Sequence, residues 1–140
     1  MSSGDLYKQQ LLDHFKKPYN KVKGPLEGAT FTMRGNNPKC GDDIEVAAYV
    51  VDGVIEKVNY RVRGCSICIA ASSMMAKTVE GLPVTDIDNL HDDIKQWLEG
   101  DERNLPFTLL PLSSVRDHPA RKQCVMLPWG ALKGGIDDYE

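Results

Sequence analysis

The chain has 140 residues, 41% of them apolar, which predicts a single domain over residues 1–140 with a modest core. The formal net charge of −3 gives no support to nucleic-acid binding, which needs a clustered basic face. No apolar stretch approaches the roughly 20 residues of a membrane span, and the first residues lack a signal-peptide pattern, so we expect a cytoplasmic protein that does not bind membranes.

The first predicted element is a helix over residues 5–17. Tyr7, Leu11 and Phe15 recur every four residues and form one apolar stripe. Pro18 ends this helix, and residues 26–34 are a weaker strand candidate.

Two clear strand patterns follow, over residues 44–50 and 54–62. Positions 44, 46, 48 and 50 share one face, and positions 54, 58, 60 and 62 form an apolar face that Glu56 interrupts. Asp52-Gly53 lies between the two runs and is typical of a tight hairpin turn, because it supplies positive φ angles. The middle of the chain is therefore predicted to be an antiparallel sheet.

The rest of the chain has helical patterns. Residues 65–80 are apolar nearly all round, which predicts a buried helix that Gly81 ends. Helix, sheet and then several helices imply an α+β fold, a three-stranded antiparallel sheet with helices packed on one face. After Gly81 we expect an amphipathic helix from Thr85 to Gly100, a loop over 101–106, a short broken helix over 109–115, a last helix from Pro119 towards Lys133, and a frayed tail over 134–140.

Four cysteines are spread along the chain. Because the protein is expected to be cytosolic and long enough to bury its own core, reduced thiols are favoured over disulfides. Such cysteines indicate metal binding or sulfur chemistry, and the alternative is that they are ordinary buried apolar residues. The separations of Cys40, Cys65 and Cys124 do not match the close ligand pairs of zinc fingers.

The segment Asn37-Pro38-Lys39-Cys40-Gly41-Asp42 predicts a tight turn between two strands with Cys40 at its tip. A structural cysteine more often lies inside a strand or a helix. Asp42, two residues away, could bind the same metal or hydrogen-bond the thiol. The alternative for Asp42 is a turn residue that caps its own backbone.

Cys65 follows Gly64 where the predicted strand gives way to the predicted helix. The partial positive charge and free N–H groups of a helix N-terminus stabilise a thiolate, which is the form that binds metal or attacks sulfur. The alternative is a small residue that fills a strand–helix corner.

Cys124 lies inside the predicted last helix, and Arg121, three residues earlier, projects from nearly the same face. A guanidinium beside a thiolate lowers the thiol pKa and can hold an anionic sulfur species. The alternative for Arg121 is an exposed, solvated helix residue.

The motif Cys65-Ser66-Ile67-Cys68 places two thiols three residues apart, so a redox dithiol is a further alternative. The thioredoxin-type motif, however, belongs to a β-α-β context, and an antiparallel hairpin precedes this one. We therefore expect Cys68 to be packed in the interior or to lie beside the site.

Together these motifs resemble the U-type iron–sulfur cluster assembly family, which comprises IscU, SufU and the amino-terminal domain of NifU. The resemblance runs in order through most of the chain, over Leu6-Tyr7 and Leu11 to Phe15, Asn37 to Asp42, Gly64 to Ile67 with Ala71 to Met75, Pro119 to Cys124, and Leu127-Pro128-Trp129. It is strongest to the SufU type, because Gln123 stands where IscU-type proteins have a histidine and Arg121 matches an arginine of SufU-type proteins. The long connection from Cys65 to Cys124 also fits the SufU type.

The resemblance implies that Cys40, Asp42, Cys65 and Cys124 surround one site that binds zinc, iron or a nascent [2Fe–2S] cluster. It implies that the site receives persulfide sulfur from a cysteine desulfurase of the SufS or IscS type. Our hypothesis is that Cys40, on its turn, accepts this sulfur and that Arg121 stabilises the anionic sulfur. Downstream apo-proteins or cluster carriers are further expected partners. The only enzymatic activity expected is that of a zinc-dependent sulfurtransferase.

Three alternatives stay open at this point. The protein could be a pure cluster scaffold without sulfurtransferase activity, a Cys65–Cys68 dithiol redox protein, or a structural zinc domain without sulfur chemistry.

Overall fold

The computed structural model describes residues 3–39 and 41–139, and its three strands form one antiparallel sheet in the order β1-β2-β3. This confirms the predicted α+β fold. The main elements are α1 (Ser3–Lys16), β1 (Phe31–Asn37), β2 (Asp42–Val51), β3 (Val54–Arg63), α2 (Ser66–Val79), α3 (Ile87–Leu98) and α4 (Pro119–Tyr139), with 3₁₀ helices at Val84–Asp86 and Phe107–Val115.

The hairpin between β2 and β3 turns where the sequence predicts. Asp52 and Gly53 both take positive φ angles, 53° and 78°, as a tight two-residue turn requires. The predicted first strand is displaced, because Gly28 takes a φ of 73° and interrupts extended chain. The strand therefore begins at Phe31 and continues to Asn37, three residues beyond the predicted end.

One face of β3 differs from the predicted alternation. Tyr49 pairs with Lys57 whereas Val50 pairs with Ile55, so Glu56 is the extra residue of a β-bulge. The bulge shifts the alternation by one residue. As a result Ile55 is fully buried and Val54 is 39% exposed, so the predicted place of Val54 on the apolar face is wrong.

The helices cover the sheet face that carries the buried side chains of Ile44, Val46 and Ala48. Helix α2 contacts β3, α4 contacts β1 and β2, and α1 packs on α2 and on the second 3₁₀ helix. The opposite face carries the cross-strand ion pairs Arg34–Asp43 and Arg61–Glu45. None of the helices within residues 3–39 and 41–139 combines the length and the apolar character that crossing a bilayer requires.

The last helix is longer than predicted. It continues through residues 134–139, where the sequence predicts fraying. Ile136 is buried in the core, and the Tyr139 ring stacks on Phe31 of β1 with a centroid distance of 5.6 Å. These contacts with the sheet hold the final turns in the helix, so the expectation of a frayed tail is wrong for the described residues.

Candidate metal centre

Three elements meet at one end of the sheet and bring Asp42, Cys65 and Cys124 together. Asp42 opens β2 and Cys65 follows the end of β3, so the antiparallel pairing of these strands sets the two residues side by side. Helix α4 adds Cys124. Ligand atoms of the three side chains, one from each, lie within 4.8 Å of one another.

The Asp42 carboxylate is buried and oriented by Cys65. Its Oδ1 accepts the Cys65 backbone N–H at 2.9 Å, and its Oδ2 lies 3.8 Å from Cys65 Sγ. The carboxylate of β2 thus bonds to Cys65, two residues beyond the end of the neighbouring strand β3. This contact fixes Asp42 next to the thiol, as the sequence-based hypothesis of a shared site requires.

Gly64 makes this arrangement sterically feasible, a role that the sequence analysis missed. A Cβ at position 64 would lie only 2.5 Å from Asp42 Oδ1 and 3.0 Å from its Cγ. Any side chain there would therefore displace the carboxylate. The available signal was a glycine directly before a cysteine at a strand–helix junction, but Asp42, for which it makes room, is adjacent only in the folded sheet and lies far from Gly64 in the sequence.

Cys65 is the N-cap residue of α2, at the strand–helix junction that the sequence predicts. Its extended backbone precedes the helix, and its Sγ accepts the Cys68 N–H at 3.4 Å. That N–H is one of the groups a helix N-terminus leaves without an intrahelical partner, and the Cys65 sulfur provides its acceptor. Cys68 itself is buried, as expected, and Cys65, Cys68 and Cys124 are all free of disulfides.

Repulsion among the ionised groups of this cluster would favour a bound cation. Burial raises the pKa of the Cys124 thiol, and the hydrogen bonds and negative charges of Cys65 and Asp42 raise it further. Three groups that become negative on ionisation are thus held together, with Asp42 and Cys124 buried and Cys65 partly exposed. Because a bound cation would offset this repulsion, the cluster is suited to a metal rather than to three free anions.

The donor set fits zinc or iron. Two thiolate sulfurs and one carboxylate oxygen are typical ligands of tetrahedral zinc, at roughly 2.3 Å and 2.0–2.2 Å, and thiolates also hold iron in iron–sulfur clusters. Ligands at those lengths lie about 3.5–3.8 Å apart in a tetrahedron, so atoms within 4.8 Å of one another need only small adjustments.

Cys40, the fourth predicted ligand, lies outside the described residues. The residues on either side of it, Lys39 and Gly41, belong to the turn that joins β1 to β2, and Gly41 takes a φ of 71°. Asp42 follows directly. The prediction of a turn is therefore confirmed for the flanking residues, and the role of Cys40 stays a prediction.

Arg121 and Gln123 lie on the exposed side of the first turns of α4. Within the described part of the chain, the Arg121 guanidinium takes part in no ion pair. Gln123 instead accepts a hydrogen bond at 3.3 Å from the amide of Asn37, the last residue of β1. This bond ties α4 to the strand that leads to the Cys40 turn, a link that the sequence analysis did not find.

Curated proteins with similar sequences match this chain along most of their length. The chain is 32% identical over 138 residues to the zinc-dependent sulfurtransferase SufU of Bacillus subtilis, with 96% of this chain and 92% of that protein covered. It is 38% identical over 136 residues to the iron–sulfur cluster assembly scaffold protein IscU of Aquifex aeolicus, with 95% and 75% covered.

Solved structures show the same fold. A SufU-type scaffold protein from Fervidobacterium islandicum superposes with a TM-score of 0.81 at 22% identity, covering 96% of this chain and 99% of that one. A nitrogen-fixing NifU-like protein from Brucella abortus superposes with a TM-score of 0.79 at 21% identity, covering 96% and 94%. The model of the NifU-like N terminal domain matches residues 6–140, and the chain therefore belongs to that family.

Proposed function

We propose that this protein is an iron–sulfur cluster assembly factor that accepts persulfide sulfur from a cysteine desulfurase and holds zinc or a nascent [2Fe–2S] cluster. The observation that carries the proposal is the convergence of Asp42, Cys65 and Cys124 within 4.8 Å. Family membership adds support, since the similar proteins carry the names of a zinc-dependent sulfurtransferase and of assembly scaffolds.

The proposed roles follow from where the residues lie. Asp42, Cys65 and Cys124 come from three packed elements, so they form the fixed part of the site. Cys40, two residues before Asp42 in the chain, is proposed as the fourth ligand and the sulfur-accepting thiol. Of the four, Asp42 supplies the hardest ligand, and its bond to the metal is the one proposed to open. Bound zinc or iron would supply Lewis acidity that keeps these thiols ionised at neutral pH.

The transfer itself uses ordinary thiol–disulfide chemistry. The Cys40 thiolate attacks the outer, sulfane sulfur of the desulfurase persulfide, and the S–S bond of that persulfide breaks. A persulfide forms on Cys40, and the desulfurase cysteine leaves as a thiolate. The exposed Arg121 guanidinium is proposed to stabilise the anionic persulfide after transfer.

The test is desulfurase turnover, measured as alanine released from cysteine, with and without this protein. We expect wild-type protein to accelerate turnover, Cys40→Ala to abolish the acceleration, and the control Cys68→Ala to retain it, because Cys68 is packed in the interior. Zinc content and circular dichroism of each variant separate loss of the acceptor from loss of the fold. Full acceleration by folded Cys40→Ala would overturn the assignment.

A pure cluster scaffold is the second candidate, favoured by the 38% identity to an IscU-named scaffold. Anaerobic reconstitution with iron and sulfide separates the two functions. A zinc-binding acceptor is expected to give little stable cluster absorbance, whereas a scaffold gives a strong visible spectrum and leaves desulfurase turnover unchanged.

A further inference from the structure

A basic cleft lies between α1 and the carboxyl-terminal end of α2, away from the metal centre. Its volume is about 610 Å³, and three lysines, Lys16, Lys17 and Lys77, line it together with Gln10, Asp13, His14 and Tyr19. In residues 3–39 and 41–139 none of these three lysines belongs to an ion pair. A chain of net charge −3 thus concentrates unpaired positive charge in one concavity.

The carboxylates near the cleft accept hydrogen bonds from neutral side chains. Asp13 accepts a hydrogen bond from Gln9 at 2.9 Å, and Glu80, next to the cleft, accepts the Tyr19 hydroxyl at 2.7 Å. Neither carboxylate neutralises a lysine of the cleft through a salt bridge within the described residues. The three ammonium groups are therefore available to an external anion.

His14 adds an imidazole to the wall of the cleft. Ser73 Oγ accepts the Tyr19 backbone N–H at 2.8 Å and shares a hydrogen bond with His14 Nδ1 at 2.7 Å. This bond occupies one ring nitrogen and leaves Nε2 for a partner of its own. The cleft thus combines three cations with one titratable imidazole.

The geometry argues against a compact phosphate site. His14 and Lys16 lie in the last turn of α1 and Lys77 in the last turn of α2. Helix carboxyl-terminal ends present carbonyl oxygens and partial negative charge, whereas phosphate sites are usually built on the N–H groups of helix N-termini. Several separated carboxylates suit flexible lysines better than one dense phosphate does.

We propose that this basic cleft docks an acidic peptide segment of a partner protein. The cleft and the metal centre lie at opposite ends of α2. Lys77 is twelve residues beyond the N-cap Cys65, or about 18 Å along the axis at 1.5 Å per residue. An acidic partner could therefore occupy the cleft while a desulfurase occupies the metal centre, so the proposal does not depend on the function of that centre.

A labelled decapeptide rich in glutamate tests the proposal by fluorescence anisotropy, with the glutamine version of the same peptide as the neutral probe. We expect the acidic peptide to bind, the neutral one not to bind, and added salt to weaken binding. Inorganic phosphate and ATP, added at constant ionic strength, are expected not to compete. Displacement by either at a lower concentration than unlabelled peptide would replace the proposal with a small-anion site.

The variant Lys16→Glu with Lys77→Glu is expected to weaken peptide binding at least about tenfold. Its matched control is Lys57→Glu with Lys95→Glu, which makes the same charge change at exposed lysines outside the cleft and is expected to change binding less than about twofold. Equal losses of peptide affinity in the two double variants would mean non-specific attraction and overturn the proposal. If charge reversal impairs folding, Lys16→Gln with Lys77→Gln gives the same comparison.

His14 supplies a local readout. Peptide carboxylates bound in the cleft favour the imidazolium, so the His14 pKa measured by NMR is expected to rise when the peptide is added. Binding with an unchanged His14 pKa would place the peptide elsewhere and contradict the proposal.

Discussion

At the scale of single residues, the metal centre requires that residue 64 has no Cβ atom. The absent Cβ leaves the space that the Asp42 carboxylate occupies while it accepts the Cys65 N–H. We expect Gly64→Ala to displace the carboxylate and to weaken zinc binding roughly 10- to 100-fold, the usual cost of disturbing groups that orient metal ligands. Competition with a chromophoric chelator measures this affinity.

Gly130→Ala is the matched control. Its added Cβ would meet nothing within 4 Å and lies on the exposed side of α4. We expect unchanged zinc affinity and a gain in stability of up to about 1 kcal/mol from helix propensity. Wild-type zinc affinity in folded Gly64→Ala would show that the position of Asp42 does not matter for the metal.

At the scale of elements, adjacent glycines of α4 are expected to respond in opposite directions. A Cβ at Gly135 would lie 2.5 Å from the Phe31 ring and 3.3 Å from Met33 Cβ, whereas one at Gly134 would make ordinary 3.8 Å contacts. Gly134→Ala should therefore stabilise the protein by up to about 1 kcal/mol. Gly135→Ala should destabilise it by about 1–2 kcal/mol, because the ring must move.

Urea denaturation of the two variants, compared with wild type, measures these free energies of unfolding. The pair is its own control, because both substitutions are identical, adjacent and within one helix. Stabilisation by both variants would show that Phe31 moves at no cost, and that the close approach of α4 to β1 is not set by Gly135.

The sequence predicts those elements whose signals are local. The helix α1, the Asp52-Gly53 turn and the Gly64-Cys65 strand–helix junction each depend on neighbouring residues, and the structure has all three. The predicted apolar stripe of α1 is only partly covered, because Leu11 packs against the core whereas Phe15 is 39% exposed. The bulge appears in the sequence only as the interruption of the apolar face at Glu56, and residue type does not say how the strand accommodates it. The final turns of α4 depend on contact between Tyr139 and Phe31, far apart in the sequence, which periodicity does not report.

The same division applies to the candidate site. Residue type and local context point to Asp42, Cys65 and Cys124, and the structure brings them together. The space that Gly64 leaves for Asp42 and the Asn37–Gln123 hydrogen bond join residues far apart in sequence, so no local pattern indicates them.

At the scale of the whole molecule, two half-buried histidines on different elements both lower the stability of the fold as the pH falls. Burial lowers the pKa of His14, and Lys77 lowers it further, against a smaller opposing effect of Asp13. Protonation of His14 is therefore less favourable in the folded protein than in the unfolded chain.

His91 on α3 behaves in the same way. Burial lowers its pKa, and Lys133 and Lys95 lower it further, against opposing effects of Asp88 and Asp92. The two histidines do not share these charged neighbours, so their contributions are expected to add.

For both histidines the folded pKa lies below the unfolded value of 6.5. The unfolded chain therefore binds more protons than the folded protein as the pH falls through 6.5, and the free energy of unfolding decreases by at most about 1.4 kcal/mol per pH unit for each histidine.

Urea denaturation of metal-free, reduced protein at pH 7.5 and 5.5 should show lower stability at pH 5.5. The double variant His14→Asn with His91→Asn should remove most of this difference, since neither amide titrates and the amide introduced in α1 can donate a hydrogen bond to Ser73 or accept one from it. A double variant that loses as much stability as wild type would place the pH dependence on other groups.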